Sequence, residues 1–564
     1  MFFDISLYVS LIIFSAGLIF KISRWFTHGF ASDSETRTTA KLSVVLKGIV
    51  TAVFSTKIVY FLYSLIVDGL LQVRILKTSF IRWFMHFCIF FGFILLVIMH
   101  VFDETITAAL FIDYAPTLNP FMYLRNILGV MVLAGVLIAV VRRLSSKDLR
   151  RFSNFSDYFL ILLTTVIIAS GFFLEASKIV SEAEFDDMVT EYSDIEDEDE
   201  LAALKAYWAK DFSVVFSEVP DISDGDLLEA GLEIHEDTCE SCHSKPESAF
   251  GSFALVKLLK PAAQASNQLR ADLFFFYIHF LSTFIAMAIL PFTKAFHLIS
   301  TPLSMSLNRV FKGRFDSPEA VAVKRMIELD ACMHCGACTR VCSVGPINKI
   351  QDADTILPSE KILGINKMVK GKGDFATNDL LLSGSIVCTD CYRCNDVCPA
   401  GIDLKDIWQA AKEDLELKGL VQPHILVKQK KMYEWGEVFE KEAVSGVDVC
   451  RAPETSDVKK IIDNPEFFSP CIQCTTCANV CPVVANTDGS SHDAGMSPQQ
   501  VMNFLRLEMR EMAYVSGLIW NCATCYMCQE HCPQAIPVAD IICELRIQGF
   551  KKLRNLEKSG DIQE

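Results

Sequence analysis

The sequence is poor in the groups that handle nucleotides. Its 564 residues contain no glycine-rich dinucleotide fingerprint and no P-loop, so neither hydride transfer from a nicotinamide nor phosphoryl transfer has a motif to rest on. Positive charge is also short. The 52 Lys and Arg face 68 Asp and Glu, a formal net charge of −16, which speaks against the basic surface that a nucleic-acid partner needs. Charged residues are only 21% of the chain and hydrophobic ones 51%, with mean hydropathy +0.32. That is too apolar for an ordinary soluble protein. Surplus acid and surplus apolar surface are compatible only if segregated, and they are: the long apolar runs lie in the first 300 residues, and the remainder is polar and cysteine-rich.

Five stretches, near 3–22, 82–101, 122–141, 155–174 and 272–293, are apolar over the length a bilayer requires, about 20 residues. The first has no basic leader and no small-residue cleavage site, so it reads as a span. The stretch 42–72 carries Lys47, Lys57 and Asp68. Charge in mid-bilayer is costly, so this stretch reads as an interfacial helix on the inner surface, with a true span as the alternative. Loop charge sets the orientation. Residues 142–151 (RRLSSKDLRR) and 21–82 are basic, and Lys294, Arg309, Lys312 and Arg314 follow the fifth span. The loop 102–120 has Asp103, Glu104 and Asp113 and no base, and eleven acids with no Lys or Arg fall between Glu182 and Glu200. A multi-pass protein of the cytoplasmic membrane is expected, with its C-terminal arm in the cytoplasm and the loop 176–270 in the periplasm. The acidic run reads first as a solvated, flexible segment and second as a docking surface for a basic periplasmic cytochrome c.

Four histidines stand at helical spacing. His86 and His100 are 14 residues apart in one span, about four turns and roughly 21 Å. His279 and His297 are 18 apart at the fifth span, about five turns and roughly 27 Å. Two helices that each show two histidines on one face can clamp two stacked haems. The opposite run of the two spans pairs His86 with His297 near the cytoplasm and His100 with His279 near the outer face. Bis-histidine ligation makes these b-type electron carriers. Helix count and histidine spacing over residues 1–300 resemble the gamma subunit of respiratory nitrate reductase and the cytochrome b subunit of membrane-bound heterodisulfide reductase. The resemblance implies exchange of electrons with a membrane quinone, menaquinone being the expected one.

The long outer loop contains Cys239-Glu-Ser-Cys242-His243, the attachment pattern of a c-type haem with the histidine as proximal ligand. Its outer placement is the side on which such haems are attached. Met188 and His235 are the candidate sixth ligands, beside an open site.

Sixteen of the 21 cysteines form four copies of C-x2-C-x2-C-x3-C. They are Cys332, Cys335, Cys338, Cys342; Cys388, Cys391, Cys394, Cys398; Cys471, Cys474, Cys477, Cys481; and Cys522, Cys525, Cys528, Cys532. Pro399, Pro482 and Pro533 follow three of the motifs, and Ser343 stands at that place in the first. Three closely spaced thiolates wrap one corner of a cubane, and the fourth reaches the neighbouring cluster. Cys398 is therefore expected with Cys332, Cys335 and Cys338, and Cys342 with Cys388, Cys391 and Cys394. Likewise Cys532 joins Cys471, Cys474 and Cys477, and Cys481 joins Cys522, Cys525 and Cys528. Four [4Fe–4S] clusters follow, against four zinc sites as the plainer alternative. Cys88, Cys450 and Cys543 remain and read as small buried residues.

The stretches 404–417 and 500–513 have the period of amphipathic helices. With the motifs, they resemble the iron–sulfur C chain of heterodisulfide reductase and the iron–sulfur domain of succinate dehydrogenase. The expected fold is all-α: a five-span transmembrane bundle, a dihaem cytochrome b, followed by two tandem helical 2[4Fe–4S] ferredoxin domains. The expected divisions are 1–175 (spans one to four with the interfacial helix), 176–270 (acidic loop with the c-haem motif), 271–300 (span five), 301–430 and 431–564 (the two ferredoxin domains). No Cys-Cys-Gly signature of heterodisulfide-cleaving subunits is present, so the arm reads as a wire. The expected role is an electron-transfer subunit of an anaerobic respiratory complex, between quinone or periplasmic cytochrome c and a cytoplasmic catalytic subunit. A self-contained quinol oxidoreductase and a redox-sensing membrane anchor are the alternatives.

Overall fold

The structure is a computed structural model. It describes all residues except 30–35, 112–113, 194, 196, 219, 312–314, 316, 346–353, 372–383, 418–422, 445–460, 487–495 and 560–564. Asp113, Lys312, Arg314 and Cys450 lie outside the described residues. Among the described residues every named element is helical, and the only β pairing is one bridge between Ser181 and Val215. The chain divides into two compact units, 1–22 with 66–296 and 23–65 with 297–564.

The first unit holds the expected spans as helices Phe2–Thr27, Phe80–Val101, Phe121–Ser145, Phe155–Ile179 and Ala271–Phe292, the last finishing as a 3-10 turn. Their exposed Leu, Ile, Phe and Val suit lipid contact, since lipid tails are as apolar as these side chains. Small residues set the closest helix crossing. A Cβ on Gly92 would lie 2.8 Å from Val132 Cγ2, and one on Gly135 would lie 2.9 Å from the Met85 carbonyl oxygen. The second and third spans therefore meet backbone to backbone, the small-residue packing typical of membrane helices.

The described residues of 176–270 are largely helical, which corrects the expectation of a flexible segment over the acidic run 182–200. Residues Glu182–Tyr192 and Glu198–Asp211 are helices. Ser181 caps the first through the Glu184 N–H and Asp197 the second through the Asp199 N–H. Glu182, Glu184, Glu198, Asp199 and Glu200 fall in first turns, where acid is favoured by the helix dipole. Phe185, Val189, Leu204, Tyr207, Trp208, Phe212, Val214 and Phe216 form one core with Cys239. The acids thus mark helix starts above an apolar stripe.

The second unit opens with a bent helix pair. The stretch expected as one interfacial helix over 42–72 is two, Thr38–Val53 and Lys57–Leu70, bent by 94°. The break falls at Phe54–Thr56, where Ser55 Oγ accepts from the Lys57 N–H. The pair packs on helices His297–Phe311 and Pro318–Ala331. Lys57 Nζ lies 4.5 Å from the Phe311 ring centroid, and the Arg309 guanidinium 4.8 Å from that of Tyr63. Helix Leu404–Leu417 has the expected limits. The expected helix 500–513 is broken into Pro498–Arg506 and Arg510–Tyr514, with Glu508 left-handed at φ 59° between them. Lys428 lies in the last turn of helix Pro423–Gln429, and Lys430 and Lys431 fall in the short break before helix Met432–Val444. Trp435 and Phe439 from the latter are buried with Val515, Leu553 and Leu556.

Candidate redox centres

All four cysteine motifs share one backbone device. The residues on either side of the middle cysteine are left-handed in each: His334 and Gly336, Asp390 and Tyr392, Gln473 and Thr475, Thr524 and Tyr526. Seven of these eight are not glycine, a conformation costly enough to mark a functional constraint. Each motif then enters a four-residue helix: Ala337–Arg340, Arg393–Asp396, Thr476–Asn479 and Met527–Glu530.

The fourth thiol comes from the partner motif. Cys338 is crowded by Cys332, Cys335 and Cys398, and Cys342 by Cys388 and Cys391. Cys471, Cys474, Cys477 and Cys532 line one hollow, and Cys481, Cys522, Cys525 and Cys528 another. Burial, then the crowding of thiols, pushes Cys477 up to about 11 and Cys528 up to about 12. Burial pushes Cys398 up to about 12 as well. Such thiols ionise readily only with a cation in their midst. Four thiols standing around a hollow are the donor set that a [4Fe–4S] cubane takes.

Other expectations meet mixed outcomes. Cys88 and Cys543 are 3% and 0% exposed. Of the two histidines inside cluster motifs, His531 is exposed and His334 is half-buried, its Nε2 2.6 Å from Glu360 Oε1.

In the spans, three histidines have Nδ1 fixed by an acceptor. His86 Nδ1 lies 2.8 Å from Gln72 Oε1, His100 Nδ1 2.9 Å from Leu96 O, and His279 Nδ1 2.9 Å from Ile167 O. Ser170 Oγ is a further 3.2 Å partner of His279. A carbonyl only accepts, so Nδ1 carries the proton and the lone pair resides on Nε2. That tautomer binds haem iron. A Cβ on Gly171 would stand 3.1 Å from His279 Cε1, so glycine keeps room for the ring. His100 and His279 are within electrostatic reach of each other. His297 does not continue the helix of His279. The helix ends at Ile289, Pro291 sits in the 3-10 turn that follows, and a new helix begins at His297. Proline lacks the N–H that a continuing helix needs, so the five-turn phase between these two histidines does not hold.

Sequence reading missed a polar node in the spans. Glu175 accepts from Arg125 Nη2 at 2.8 Å, Asn126 Nδ2 at 2.9 Å and Ser252 Oγ at 2.5 Å. Asn126 Oδ1 accepts from the N–H groups of Gly251 and Ser252. An arginine inside an apolar run was the available signal.

The Cys239–His243 motif lies at the wall of a cavity of about 670 Å³. Phe185, Val189, Leu204, Trp208, Phe212 and Val214 line it together with Met122, Met188, Cys239, Cys242 and His243. The C-terminal end of the motif is tied to Thr117: Thr117 Oγ1 donates to the Cys242 carbonyl, and the Ser244 N–H donates to the Thr117 carbonyl at 3.1 Å. Burial holds the His243 imidazole below its usual range, so it is neutral, as a ligand must be. Two thiols, a neutral imidazole and an aromatic-lined space of this size fit a covalently bound haem. His235 is 5% exposed among Tyr207, Trp208 and Phe212 and is not part of the cavity wall.

Comparison with known proteins agrees with this division. The nitrate reductase gamma subunit family matches residues 68–194, and the 4Fe-4S dicluster domain matches residues 328–402 and 468–536. The chain joins a nitrate reductase gamma-like membrane domain to two dicluster iron–sulfur domains. The E chain of the dihydromethanophenazine:CoB–CoM heterodisulfide reductase of Methanosarcina barkeri is 33% identical over 175 residues, 29% of this chain and 66% of that protein. Its Methanosarcina acetivorans counterpart is 40% identical over 114 residues, 19% of this chain and 43% of that protein. The C chain of a ferredoxin:CoB–CoM heterodisulfide reductase from Methanosarcina mazei is 33% identical over 82 residues, 14% and 46% of the two chains. The chain spans less than two thirds of the length of each of these relatives. No solved structure matches. The protein is thus a multi-pass membrane protein with iron–sulfur domains of the heterodisulfide reductase type, suited to electron transport.

Proposed function

We propose that the chain passes electrons across the cytoplasmic membrane, between a quinone pool or a periplasmic cytochrome c and a cytoplasmic heterodisulfide-reductase-like partner. The route runs through a c haem on Cys239, Cys242 and His243, two b haems on His86, His100, His279 and His297, and four [4Fe–4S] clusters. The observation that carries this reading is the gathering of four thiol quartets in the arm of a chain whose spans hold histidines with Nδ1 fixed. Such a series is useful as a conduit and has no need of a substrate pocket of its own. The names of the Methanosarcina barkeri and Methanosarcina acetivorans relatives couple a reduced membrane carrier, dihydromethanophenazine, to a heterodisulfide. A quinone, with menaquinone the first candidate, takes the carrier's part in this proposal. The acidic layer 176–270 faces the periplasm and the arm faces the cytoplasm, following the loop charges.

The test uses the purified full-length chain. A haem-stained denaturing gel, a pyridine haemochrome spectrum and an iron count should give two b haems per covalent c haem and about 16 further irons. A quinol should reduce the b haems. A chain holding iron but no haem would overturn the transmembrane route and leave only an anchored ferredoxin arm.

A further inference from the structure

We propose that Met188 is the second axial ligand of the c haem, a step that rests on the attachment of that haem at Cys239 and Cys242. A haem seated on His243 presents its other face to the cavity, and the distal ligand must come from the wall. His235 is not among the residues that line the cavity; it touches Trp208 and Phe212, which do. Of the other donors that line the cavity, Lys178 Nζ is held by Glu184 Oε2 at 2.8 Å. Tyr192 is 74% exposed at the end of its helix, and Met122 is 4% exposed in the first turn of the third span.

Met188 has the better position. It lies on helix Glu182–Tyr192, whose cavity side is Phe185, Met188, Val189 and Tyr192, the spacing of one helical face. It packs against the core that contains Cys239 and Trp208, so it shares a rigid support with the proximal side. That support is fixed by ring contacts: Phe185 lies 5.4 Å from Trp208 and 5.1 Å from Phe216, and Trp208 lies 5.5 Å from His243. A thioether is neutral and flexible, so it needs no proton release and can reach an iron from a helix wall. Met/His ligation raises the reduction potential. The c haem would therefore be the oxidising end of the haem series, set above the bis-histidine b haems.

The experiment compares the full-length chain with Met188→Ala, Met188→His and Met122→Leu, after haem staining of a denaturing gel has shown covalent haem in each. The oxidised wild type should show the weak far-red sulfur-to-iron charge-transfer band of a thioether-ligated haem. Met188→Ala should lose it and bind carbon monoxide when reduced. Met188→His should restore a low-spin haem without the band and at a lower potential, and Met122→Leu should keep the band. Covalent haem whose band survives in Met188→Ala, disappears in Met122→Leu, or is absent from the wild type overturns the assignment while leaving the attachment intact. A wild type without covalent haem overturns the attachment and the ligand with it.

Discussion

Replacing Cys398 by alanine should remove a cluster from the first cysteine motif and leave the cluster of its own motif in place. Cys398 is 9% exposed and crowded by Cys335 and Cys332, whereas Cys342 is crowded by Cys388 and Cys391. With one cubane in each quartet, as proposed, any single loss should cost about four of roughly 16 cluster irons. Double variants then separate the two possible pairings. Cys335→Ala with Cys398→Ala hits one quartet twice and should still cost about four irons. Cys391→Ala with Cys398→Ala hits two quartets and should cost about eight. Iron and acid-labile sulfide per chain give the count, with haem iron subtracted from the haemochrome spectrum. Electron paramagnetic resonance of the reduced protein identifies which signals are lost. Signals from the second dicluster half serve as the internal check on folding. If the first double variant loses two clusters and the second only one, each motif closes on itself and the exchanged pairing is wrong.

Gln72→Leu should weaken haem binding at His86, since Gln72 is 4% exposed and its Oε1 fixes the His86 ring. Loss of such an orienting partner costs about 10- to 100-fold in affinity, readable as a drop in b haem per chain. Asp406→Asn should destabilise the first dicluster half by roughly 3 kcal/mol, because Asp406 holds Arg325 Nη2 at 2.8 Å and the buried Lys324 Nζ at 3.2 Å. Burial raises the Asp406 carboxyl, but Arg325 and Lys324 outweigh it and hold it below the usual range. Its contribution is therefore present above the ordinary carboxylate pKa of about 3.9 and lost as pH falls through the lower folded value. Denaturation curves of wild type and variant at neutral pH, followed by far-UV circular dichroism, should differ by about 3 kcal/mol.

Long apolar runs and repeated cysteine spacings were legible because each is a direct imprint of one constraint, bilayer thickness or cubane geometry. All five spans were found, and the exchanged thiol quartets are brought together. Three features were not legible. The acids of 182–200 mask a helical layer because Phe185 and Val189 are few beside them, and only packing shows that they share a core with Trp208. The phase of His279 and His297 failed at Pro291, a helix stop inside an otherwise unbroken apolar run. The left-handed residues at the cluster loops could not be read, since Asp390, Gln473 and Thr524 carry no glycine signature. There the folded loop overrides the local preference of the residue.

The two dicluster halves meet at the loops of the second and fourth motifs. Thr524 Oγ1 lies 3.2 Å from Thr389 Oγ1. Cys543, beside Cys522 and Cys528, is buried with Val344, Ile356 and Val387. Electrons crossing between the halves should therefore pass from the quartet of Cys388 to that of Cys522. Each of these two quartets has a buried cation near it. Lys361 is 1% exposed, lies 4.5 Å from the Trp408 ring centroid and is within electrostatic reach of Cys342 and Cys394. Arg546 is 2% exposed and donates from Nη2 to the Cys522 carbonyl at 2.6 Å. A fixed positive charge in a low-dielectric interior favours the reduced, more negative cluster. These cations should thus raise the potentials of the two clusters at the junction. Lys361→Met should lower the potential of one cluster in a redox titration followed by paramagnetic resonance, and Lys361→Arg should restore it. A Lys361→Met chain with full iron and unchanged potentials would show that the cation is there for packing on Trp408 and not for tuning.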